Sequence, residues 1–339
     1  MKKLNLTTIL GTVFVLLLML AVIVFIYAWG FAGASAENTE AIESAKSQEI
    51  YNFLVLGKDA AAGLCDVVMI VSIDTSSGDV NIMQIPRDTY FNYTDGTYKK
   101  INGAPKALGT SAFATALGDA LGISIDYYLA LSLDTVAEMV DFVDGVEIDV
   151  PSDMDYDDPA QDLSIHLKAG RQLLDGKNAL GFLRYRSGYV TGDLARIDAQ
   201  KLFLNSFVKR IGEQKNPMKY ISIFKLICSK GETNIKESDL FLIGMKCSQT
   251  KGGEVCYMTL PGDAVQSEKS GAWYYILSRS AASQMLEERY GLFRDKKDFD
   301  KEEKFVDKNT KSFYDIYNKH CEYRVYTAND IENNRININ

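Results

Sequence analysis

The first fifty residues carry a long apolar run followed by a small, polar stretch. Residues 9–32 contain no charged side chain, and residues 34–49 are mostly small or polar. As a helix the apolar run would be roughly 36 Å long, which is enough to cross a hydrocarbon layer of about 30 Å. We predict a transmembrane anchor over residues 9–33, a cytoplasmic N-terminus over 1–8 and a linker over 34–49.

Charge around the apolar run predicts its orientation. Lys2 and Lys3 lie on the short N-terminal side, and positive charge marks the cytoplasmic side of a span. A cleavable signal peptide is the alternative, because the sequence ASA at 34–36 resembles a cleavage site, but the apolar core of a signal peptide is usually only about 7–15 residues long. We therefore expect a single-pass protein of the cell membrane with an extracytoplasmic main domain.

From residue 50 onward, short apolar strands alternate with helical segments. The sequence TSSG at 75–78 forms a turn between two early strands. Hairpins among the early strands, followed by interleaved helices, predict an α/β fold with a mixed central sheet and helices on both faces. Strands are predicted at 51–57, 67–74, 79–85, 126–131, 146–150, 254–260 and 273–277, and helices at 110–121, 133–143, 176–184, 194–213 and 281–290, with two further helical pieces after Pro217.

Polarity sets expectations for the remaining segments. Residues 152–162 contain five aspartates and are predicted to form a polar loop. Ser132 and Asp175 precede helical segments and can cap them. We assign residues 50–294 to one extracytoplasmic domain and residues 295–339, which are rich in charge, to a loosely packed tail.

Composition argues against several classes of function. The formal net charge is −8, which disfavours nucleic acid as a partner. His166 and His320 are the two histidines, so a histidine-based triad or a multi-histidine metal site is disfavoured. The five cysteines are scattered without a CxxC pair, which leaves disulfides and free thiols both open.

Two aspartates flank the loop between the first two predicted strands. Asp59 follows the first strand and Asp66 precedes the second, with Gly63 between them. Loops at strand ends often hold functional sites in α/β folds, and carboxylates there suit a hard cation such as Mg²⁺. The alternative is a solvated loop in which both aspartates only support turns.

Basic side chains follow at two later junctions. Arg87 comes directly after the strand that ends at Pro86, and Lys100 opens the sequence KING. Arginine makes bidentate contacts to phosphate, although a surface ion pair is the ordinary alternative.

The most informative basic cluster lies between residues 182 and 200. Arg184 and Arg186 are two residues apart, so an extended segment would point both the same way. Arg196 and Gln200 share one face of a helix that starts near Asp193, and the N-terminal dipole of that helix favours an anion. These side chains could converge on a pyrophosphate, and the alternative is an ordinary basic helix flanked by acids.

No common nucleophile or nucleotide motif is present. The sequence contains no GxSxG, no GxxxxGK[ST] and no HExxH. Phosphoryl transfer needs little covalent help from a protein, because positioning, a metal ion and positive charge can suffice.

In this order and spacing the motifs resemble the LytR-CpsA-Psr family, over about residues 50–208. The resemblance is carried by NFLVLGKDAAAGLCDVVMIVSID, MQIPRDTY, KING, LGISIDYYLALSLD, DGVEIDVPSDMDYDDP, LKAGRQLLDGKNALGFLRYR and GDLARIDAQ. It implies an α-β-α sandwich that holds a polyprenyl chain in an apolar groove. It also implies a transferase that moves a glycopolymer phosphate, such as teichoic acid or capsule, from a polyprenyl-pyrophosphate carrier to a peptidoglycan sugar hydroxyl and releases polyprenyl phosphate.

The resemblance also implies roles for the candidate residues, matched motif by motif. Asp59 and Asp66 would hold Mg²⁺. Asp88 and Asp193 would orient the arginines, or Asp88 would assist deprotonation of the acceptor. The pyrophosphate would be bound by Arg87, Lys100, Arg184, Arg186, Asp193, Arg196 and Gln200, and catalysis would rest on Arg87, Asp88, Arg184, Arg186 and Arg196.

One departure from the family pattern leaves the donor open. Members often carry arginines in the first loop, where this chain has AA at 60–61 and LC at 64–65. A carrier-binding protein without transfer activity and a pyrophosphatase that uses water as acceptor are the alternative functions. Direct gene regulation is disfavoured, because an acidic domain outside the membrane cannot reach DNA.

Overall fold

The computed structural model describes residues 49–59, 63–94, 99–159, 163–185, 193–214, 217–247, 250, 253–290 and 299–333. The predicted anchor at 9–33 lies outside this part of the chain. Within it, no helix combines the length and the hydrophobicity that a bilayer crossing requires.

Strands and helices interleave along the described chain, as the apolar pattern predicts. The strands are β1 (Ile50–Lys58), β2 (Cys65–Asp74), β3 (Val80–Ile85), β4 (Tyr127–Ser132), β5 (Val146–Val150), β6 (Met154–Asp158), β7 (Leu163–Leu167), β8 (Gly170–Leu174), β9 (Glu232–Thr233), β10 (Val255–Thr259), β11 (Gly262–Gln266), β12 (Trp273–Leu277) and β13 (Val325–Thr327). The helices are α1 (Ala104–Leu108), α2 (Thr110–Leu121), α3 (Leu133–Phe142), α4 (Gly176–Arg184), α5 (Asp193–Gly212), α6 (Pro217–Lys230), α7 (Glu237–Cys247), α8 (Arg279–Tyr290), α9 (Lys311–Asn318) and α10 (Ala328–Glu332).

A seven-stranded mixed sheet, in the order β13-β10-β3-β2-β1-β4-β9, organises the fold. β1 pairs in parallel with β4, and β3 pairs in parallel with β10. β2 is antiparallel to both β1 and β3, so β1, β3, β4 and β10 all end at one edge of the sheet, which we call the site edge. Loops beyond the carboxyl ends of parallel strands are where α/β proteins bind ligands.

Side-chain alternation divides the core between the two sides of the sheet, and helices cover both. The packed face consists of Leu54, Val68, Ile70, Met83 and Ile85, and it is filled by α2, α8, α9 and the segment from Phe299 to Val306. The hollow face consists of Phe53, Val55, Met69, Val71 and Ile82, and α3 to α7 cover it. The predicted mixed sheet with helices on both faces is confirmed.

A cavity of about 300 Å³ lies between the hollow face and its covering helices. Its lining is almost entirely apolar, and α5 and α6 supply one wall through Phe203, Phe207, Ile223 and Ile227. The cavity therefore runs through the interior on one side of the sheet only.

Two predicted helix caps are confirmed. The Ser132 hydroxyl accepts a hydrogen bond from the Thr135 backbone N–H at 3.1 Å and starts α3. The Asp175 carboxylate accepts one from the Asn178 N–H at 2.8 Å and starts α4. These contacts satisfy amide groups that the first helical turn leaves unpaired.

The prediction of a polar loop over residues 152–162 is wrong. β6 and β7 pair as an antiparallel hairpin across part of this segment. Met154 and Ile165 are buried, whereas Asp155 and His166 form an exposed ion pair on the other side. Asp155 and Asp157 are exposed on the solvent face of β6, and the density of aspartates in this segment hid the alternation that makes the strand.

The prediction that the chain after residue 294 packs loosely is also wrong, for residues 299–333. Phe299, Phe305, Phe313 and Tyr317 are buried against the packed face. β13 adds a strand to the central sheet by pairing with β10. The apolar residues of this segment are spaced singly between charged ones, which conceals how much of its surface is buried.

Candidate functional site

An ion pair joins two predicted site residues at the site edge. Arg87 follows β3, and its Nη1 donates to Oδ1 of Asp66 at 2.6 Å. Asp66 and Arg87 each lie two residues beyond Val68–Ile85, the last pair of β2 with β3, so both strands deliver them to the same end of the sheet. Both side chains remain partly accessible, at 20% and 22%, so the pair borders solvent.

The Asp59 loop returns tightly to the same edge. The Asp59 backbone N–H donates to the Leu64 carbonyl at 2.8 Å, and the Gly63 N–H donates to the Asp59 carbonyl at 2.9 Å. Gly63 has a φ of +63°, a conformation that side chains disfavour. The loop thereby brings Asp59 and Asp66, the predicted metal ligands, back to adjacent strand ends.

Asp88 and Lys100 form a second ion pair beside the first. The Lys100 Nζ donates to Asp88 Oδ1 at 2.7 Å and lies 5.6 Å from the centre of the Tyr274 ring. The Tyr275 backbone N–H donates to the Asp88 carbonyl at 2.9 Å, so β12 holds this loop in place. In this structure Asp88 orients a lysine; its role toward the arginines or an acceptor stays a prediction.

Arg196 and Gln200 lie on one buried face of α5, as their spacing predicts. They are 4% and 8% exposed. Gln200 reaches the sheet, because its Oε1 accepts a hydrogen bond from Gln84 Nε2 at 3.0 Å. Gln84 lies three residues before Arg87, so α5 and the end of β3 share this corner of the site edge.

One residue after Gln200, the buried Lys201 joins α5 to the central sheet. Lys201 Nζ donates to Asp198 Oδ1 and to Thr259 Oγ1, both at 2.8 Å, and lies 5.3 Å from the centre of the Tyr326 ring. Burial lowers the pKa of Lys201, and Asp198 opposes that shift. Lys201 therefore anchors the helix that carries Arg196 and Gln200.

The remaining predicted residues are described only in part. Arg184 is the last residue of α4, so it leaves a helix and not the extended segment that its spacing from Arg186 suggested. Arg186 lies outside the described residues. Asp193 is the first residue of α5 rather than a residue before the helix, and its side chain is outside the described part.

The described residues contain a carboxylate pair suited to a hard cation. Asp59 and Asp66 offer oxygen ligands, which Mg²⁺ prefers when it completes its shell with water and phosphate oxygens. No group of three or more His, Cys, Asp or Glu side chains that could hold a metal occurs among the residues described. Two carboxylates suit a cation that takes its other ligands from water and phosphate, and Mg²⁺ at Asp59 and Asp66 stays a prediction.

The five cysteines all lie among the described residues, and Cys65, Cys247, Cys256 and Cys321 are free thiols there. Burial raises the pKa of Cys65, which lies beside Asp66, to about 12. That thiol stays protonated at neutral pH and cannot serve as a nucleophile in this loop.

Sequence reasoning missed two polar side chains at this edge. Lys58 forms an ion pair with Glu232 at 2.6 Å and contacts Thr110 at 3.1 Å, next to Asp59. Gln84 was also missed. Its signal is visible in the sequence, because it is a polar residue at a position where the alternation along the strand predicts an apolar one.

Comparison with known proteins gives the chain a family. The LytR_cpsA_psr family model matches residues 30–290. The chain belongs to the LytR-CpsA-Psr family. Its relatives include the polyisoprenyl-teichoic acid–peptidoglycan teichoic acid transferase TagV of Bacillus subtilis (strain 168), 27% identical over 63% of this chain and 56% of TagV. The regulatory protein MsrR of Staphylococcus aureus (strain COL) is 27% identical over 62% of this chain and 64% of MsrR.

This LytR-CpsA-Psr chain therefore spans less than two thirds of the length of either relative. Solved structures agree on the fold. The crystal structure of B. subtilis TagV superposes with a TM-score of 0.60 at 25% identity and covers 72% of this chain and 97% of that one. TagT bound to LI-WTA gives 0.57 at 20% identity, over 72% and 91%, and at that identity the likeness shows the fold alone.

Proposed function

We propose that this protein moves a glycopolymer phosphate from a polyprenyl-pyrophosphate carrier to a sugar hydroxyl of peptidoglycan and releases polyprenyl phosphate. One observation carries the proposal: an apolar cavity of about 300 Å³ is lined by Gln84 and Gln200, which are hydrogen-bonded to each other. Gln84 lies three residues before Arg87 and Gln200 four residues after Arg196, so the elements at this end of the cavity also carry cationic side chains. The carrier has the same two parts, an apolar chain and a diphosphate. The names of TagV and of the TagU relative, both teichoic acid transferases, support this class of reaction.

The cavity suits the chain of the carrier. Its walls are aliphatic and aromatic side chains from the hollow face and five helices, and burial of apolar surface favours binding. Gln84 and Gln200 both line the cavity. Gln84 lies three residues before Arg87, and Gln200 lies one helical turn after Arg196. A bound lipid would thus have its chain under the sheet and its phosphates at the site edge.

Charge at the site edge suits the diphosphate. Arg87 and Arg196 can donate several N–H groups to phosphate oxygens, and Arg184 ends α4 nearby in the chain. The negative charge that develops as the P–O bond to the carrier breaks is stabilised by these preorganised cations. Arg186 and Asp193 belong to the same proposal through their motif.

Asp59 and Asp66 would hold Mg²⁺, which supplies charge neutralisation at phosphate oxygens when bound. Asp66 already accepts from Arg87, so it can fix the guanidinium whether or not a metal is present. Asp88, which pairs with Lys100, would receive the proton of the acceptor hydroxyl.

The proposal places this domain outside the cytoplasmic membrane, held by the predicted anchor at 9–33. The carrier and peptidoglycan are both available on that side. Protease protection of the full-length protein in spheroplasts tests the topology: cleavage of the large domain from outside is expected, and complete protection would contradict it.

The activity test uses full-length protein in nanodiscs, a labelled polyprenyl-pyrophosphate-linked glycopolymer and peptidoglycan. Arg196→Ala and Arg184→Ala should each slow transfer by about 30- to 1000-fold, since loss of one preorganised charge contact costs about 2–4 kcal/mol. Arg171→Ala is the matched control, because Arg171 is exposed on β8 and pairs with Glu147. Rates near wild type in both site variants, with folding confirmed by thermal melting, would refute the roles.

One observation favours a second candidate, a carrier-binding protein without transfer activity. Asp66 is in an ion pair with Arg87, so it can position a phosphate-binding guanidinium, and carrier binding alone would require that contact. Asp59→Asn and Asp66→Asn separate the two: an enzyme should keep carrier binding and lose transfer, whereas a binding protein has no transfer to lose. A pyrophosphatase would release its products equally with and without peptidoglycan.

A further inference from the structure

Gln84 breaks the apolar pattern of the strand that carries it. Val80, Ile82 and Gln84 alternate along β3 and all three line the cavity. Gln84 is 4% exposed, so its carboxamide is buried at the point where the cavity reaches the site edge. A buried polar side chain at a core position requires a polar partner.

The hydrogen bonds of Gln84 are incomplete. Its Nε2 donates to Gln200 Oε1 at 3.0 Å. Its Oε1 is buried and accepts no hydrogen bond from any residue that the structure describes. An unsatisfied buried acceptor destabilises a folded protein, and its retention calls for an explanation such as a bound ligand.

The position of the amide pair indicates which part of a ligand it would meet. Gln84 precedes Arg87 by three residues, and Gln200 follows Arg196 by one helical turn. Along the chain, Gln84 therefore lies between Ile82, which lines the cavity, and Arg87 at the site edge. The group of a lipid carrier that lies at such a boundary is the phosphate bonded directly to the lipid chain.

We propose that Gln84 binds this lipid-proximal phosphate. On binding, both carboxamides turn over, so that Gln200 Nε2 donates to Gln84 Oε1 and Gln84 Nε2 donates to a phosphate oxygen. The exchange needs no change of shape, because the oxygen and the NH₂ group of a carboxamide are nearly equal in size. It converts the unsatisfied acceptor into a donor for an anion, and a hydrogen bond to a charged group is stronger than one between neutral groups.

This inference rests on the proposed function. It adds Gln84 as a contact for the carrier and a preference for phosphorylated lipids. A neutral hydrogen-bond donor at the junction of chain and phosphate favours binding of a phosphorylated prenyl lipid over binding of the free prenyl alcohol. Arg87 and Arg196 act on the charge of the head group, whereas Gln84 recognises where the chain ends.

The test measures the affinity of full-length protein in detergent for farnesyl pyrophosphate, farnesyl monophosphate and farnesol by calorimetry. Gln84→Met keeps the length of the side chain and removes its polar atoms. We expect about tenfold weaker binding of both phosphorylated probes and unchanged or tighter binding of farnesol. Gln84→Glu should weaken both phosphorylated probes further, because its carboxylate repels phosphate. Gln172→Met on β8 is the matched control and should change none of the three.

The outcomes separate the inference from the function beneath it. The role of Gln84 would be overturned if Gln84→Met kept its affinity for the phosphorylated probes, or if it lost affinity equally for all three probes. The proposed function would still stand in that case if the wild type binds farnesyl pyrophosphate more tightly than farnesol. A wild type that binds farnesol as tightly as farnesyl pyrophosphate would overturn both. If Gln84→Met does not fold, Gln84→Glu decides, because unchanged affinity for the phosphorylated probes in that variant contradicts the proposal.

Discussion

The two faces of the central sheet are built from the same strands and differ in what covers them. On the packed face, Ile70 and Met83 are fully buried under α2, α8 and the segment after Phe299. On the hollow face, Met69 and Val71 are only partly buried and line a cavity of about 300 Å³. Hydrophobicity is the same on both faces, so hydrophobicity alone does not account for the empty volume.

Empty apolar volume is costly in a protein interior. Protein interiors normally leave few voids larger than a water molecule, and an unfilled apolar space of about 300 Å³ forgoes the free energy of close contacts. An apolar ligand that fills the cavity would recover part of this free energy. The contrast between the faces therefore supports the proposed binding of the lipid chain in the cavity.

The largest expected effect comes from adjacent residues of β2 that point to opposite faces. Ile70→Ala on the packed face should lower the free energy of unfolding by about 4 kcal/mol, because it opens a new cavity in a filled core. Met69→Ala on the hollow face should cost only about 1 kcal/mol, since it enlarges a space that is already there. Urea unfolding measures both, and equal losses would contradict the distinction between the faces.

The segment that covers the packed face contains a buried carboxylate, Asp300, whose titration provides a second test of that face. Asp300 is 1% exposed, and burial raises its pKa to about 6, although the Tyr317 hydroxyl that donates to it at 2.6 Å opposes the shift. The folded-state pKa lies above the unfolded value, so the folded protein holds a proton that the unfolded chain has released between about pH 4 and 6. The Asp300 contribution to stability is thus present below that window and is lost as pH rises through it, by about 3 kcal/mol.

Asp300→Asn keeps the shape and the acceptor oxygen and removes the titration. The difference in unfolding free energy between this variant and wild type should grow in favour of the variant from pH 4 to pH 6.5 and then level off. Chemical denaturation at each pH measures it. A difference that is independent of pH would show that Asp300 does not titrate in this range.

The smallest expected effect comes from filling the cavity. Val71→Phe on the hollow face should weaken binding of farnesyl pyrophosphate about tenfold, which is about 1.4 kcal/mol, while stability is kept or raised. Val68→Phe, three residues earlier on the packed face, should instead destabilise the protein by about 1–3 kcal/mol. Destabilisation by both substitutions would mean that the hollow face has no room for a ligand.

Much of the fold could be predicted because its strands and caps carry local signals. The buried runs of β1 to β3, the Ser132 and Asp175 caps and the helical spacing of Arg196 and Gln200 are all readable in a short window. The hairpin of β6 and β7 was missed because its aspartates lie on a solvent face, and only pairing with a partner strand makes that alternation meaningful.

Other features depend on contacts that are distant in the sequence. The cavity is unfilled space between the sheet and several helices, and no residue type in a sequence indicates that its side chain will lack neighbours. The Lys201–Thr259 contact joins residues 58 positions apart, and the burial of Phe313 depends on a core built more than two hundred residues earlier. The site loops could be predicted one by one, whereas their meeting at one edge follows from strand directions that only pairing determines.

β13 has a consequence for how the chain reaches its final form. It covers the outer edge of β10 through the pairs from Cys256–Thr327 to Met258–Val325. Until residues 325–327 leave the ribosome, or in any version cut short before them, β10 offers an open row of backbone donors and acceptors to a neighbouring molecule. Shortened forms should therefore self-associate during expression even if every residue of the site is intact.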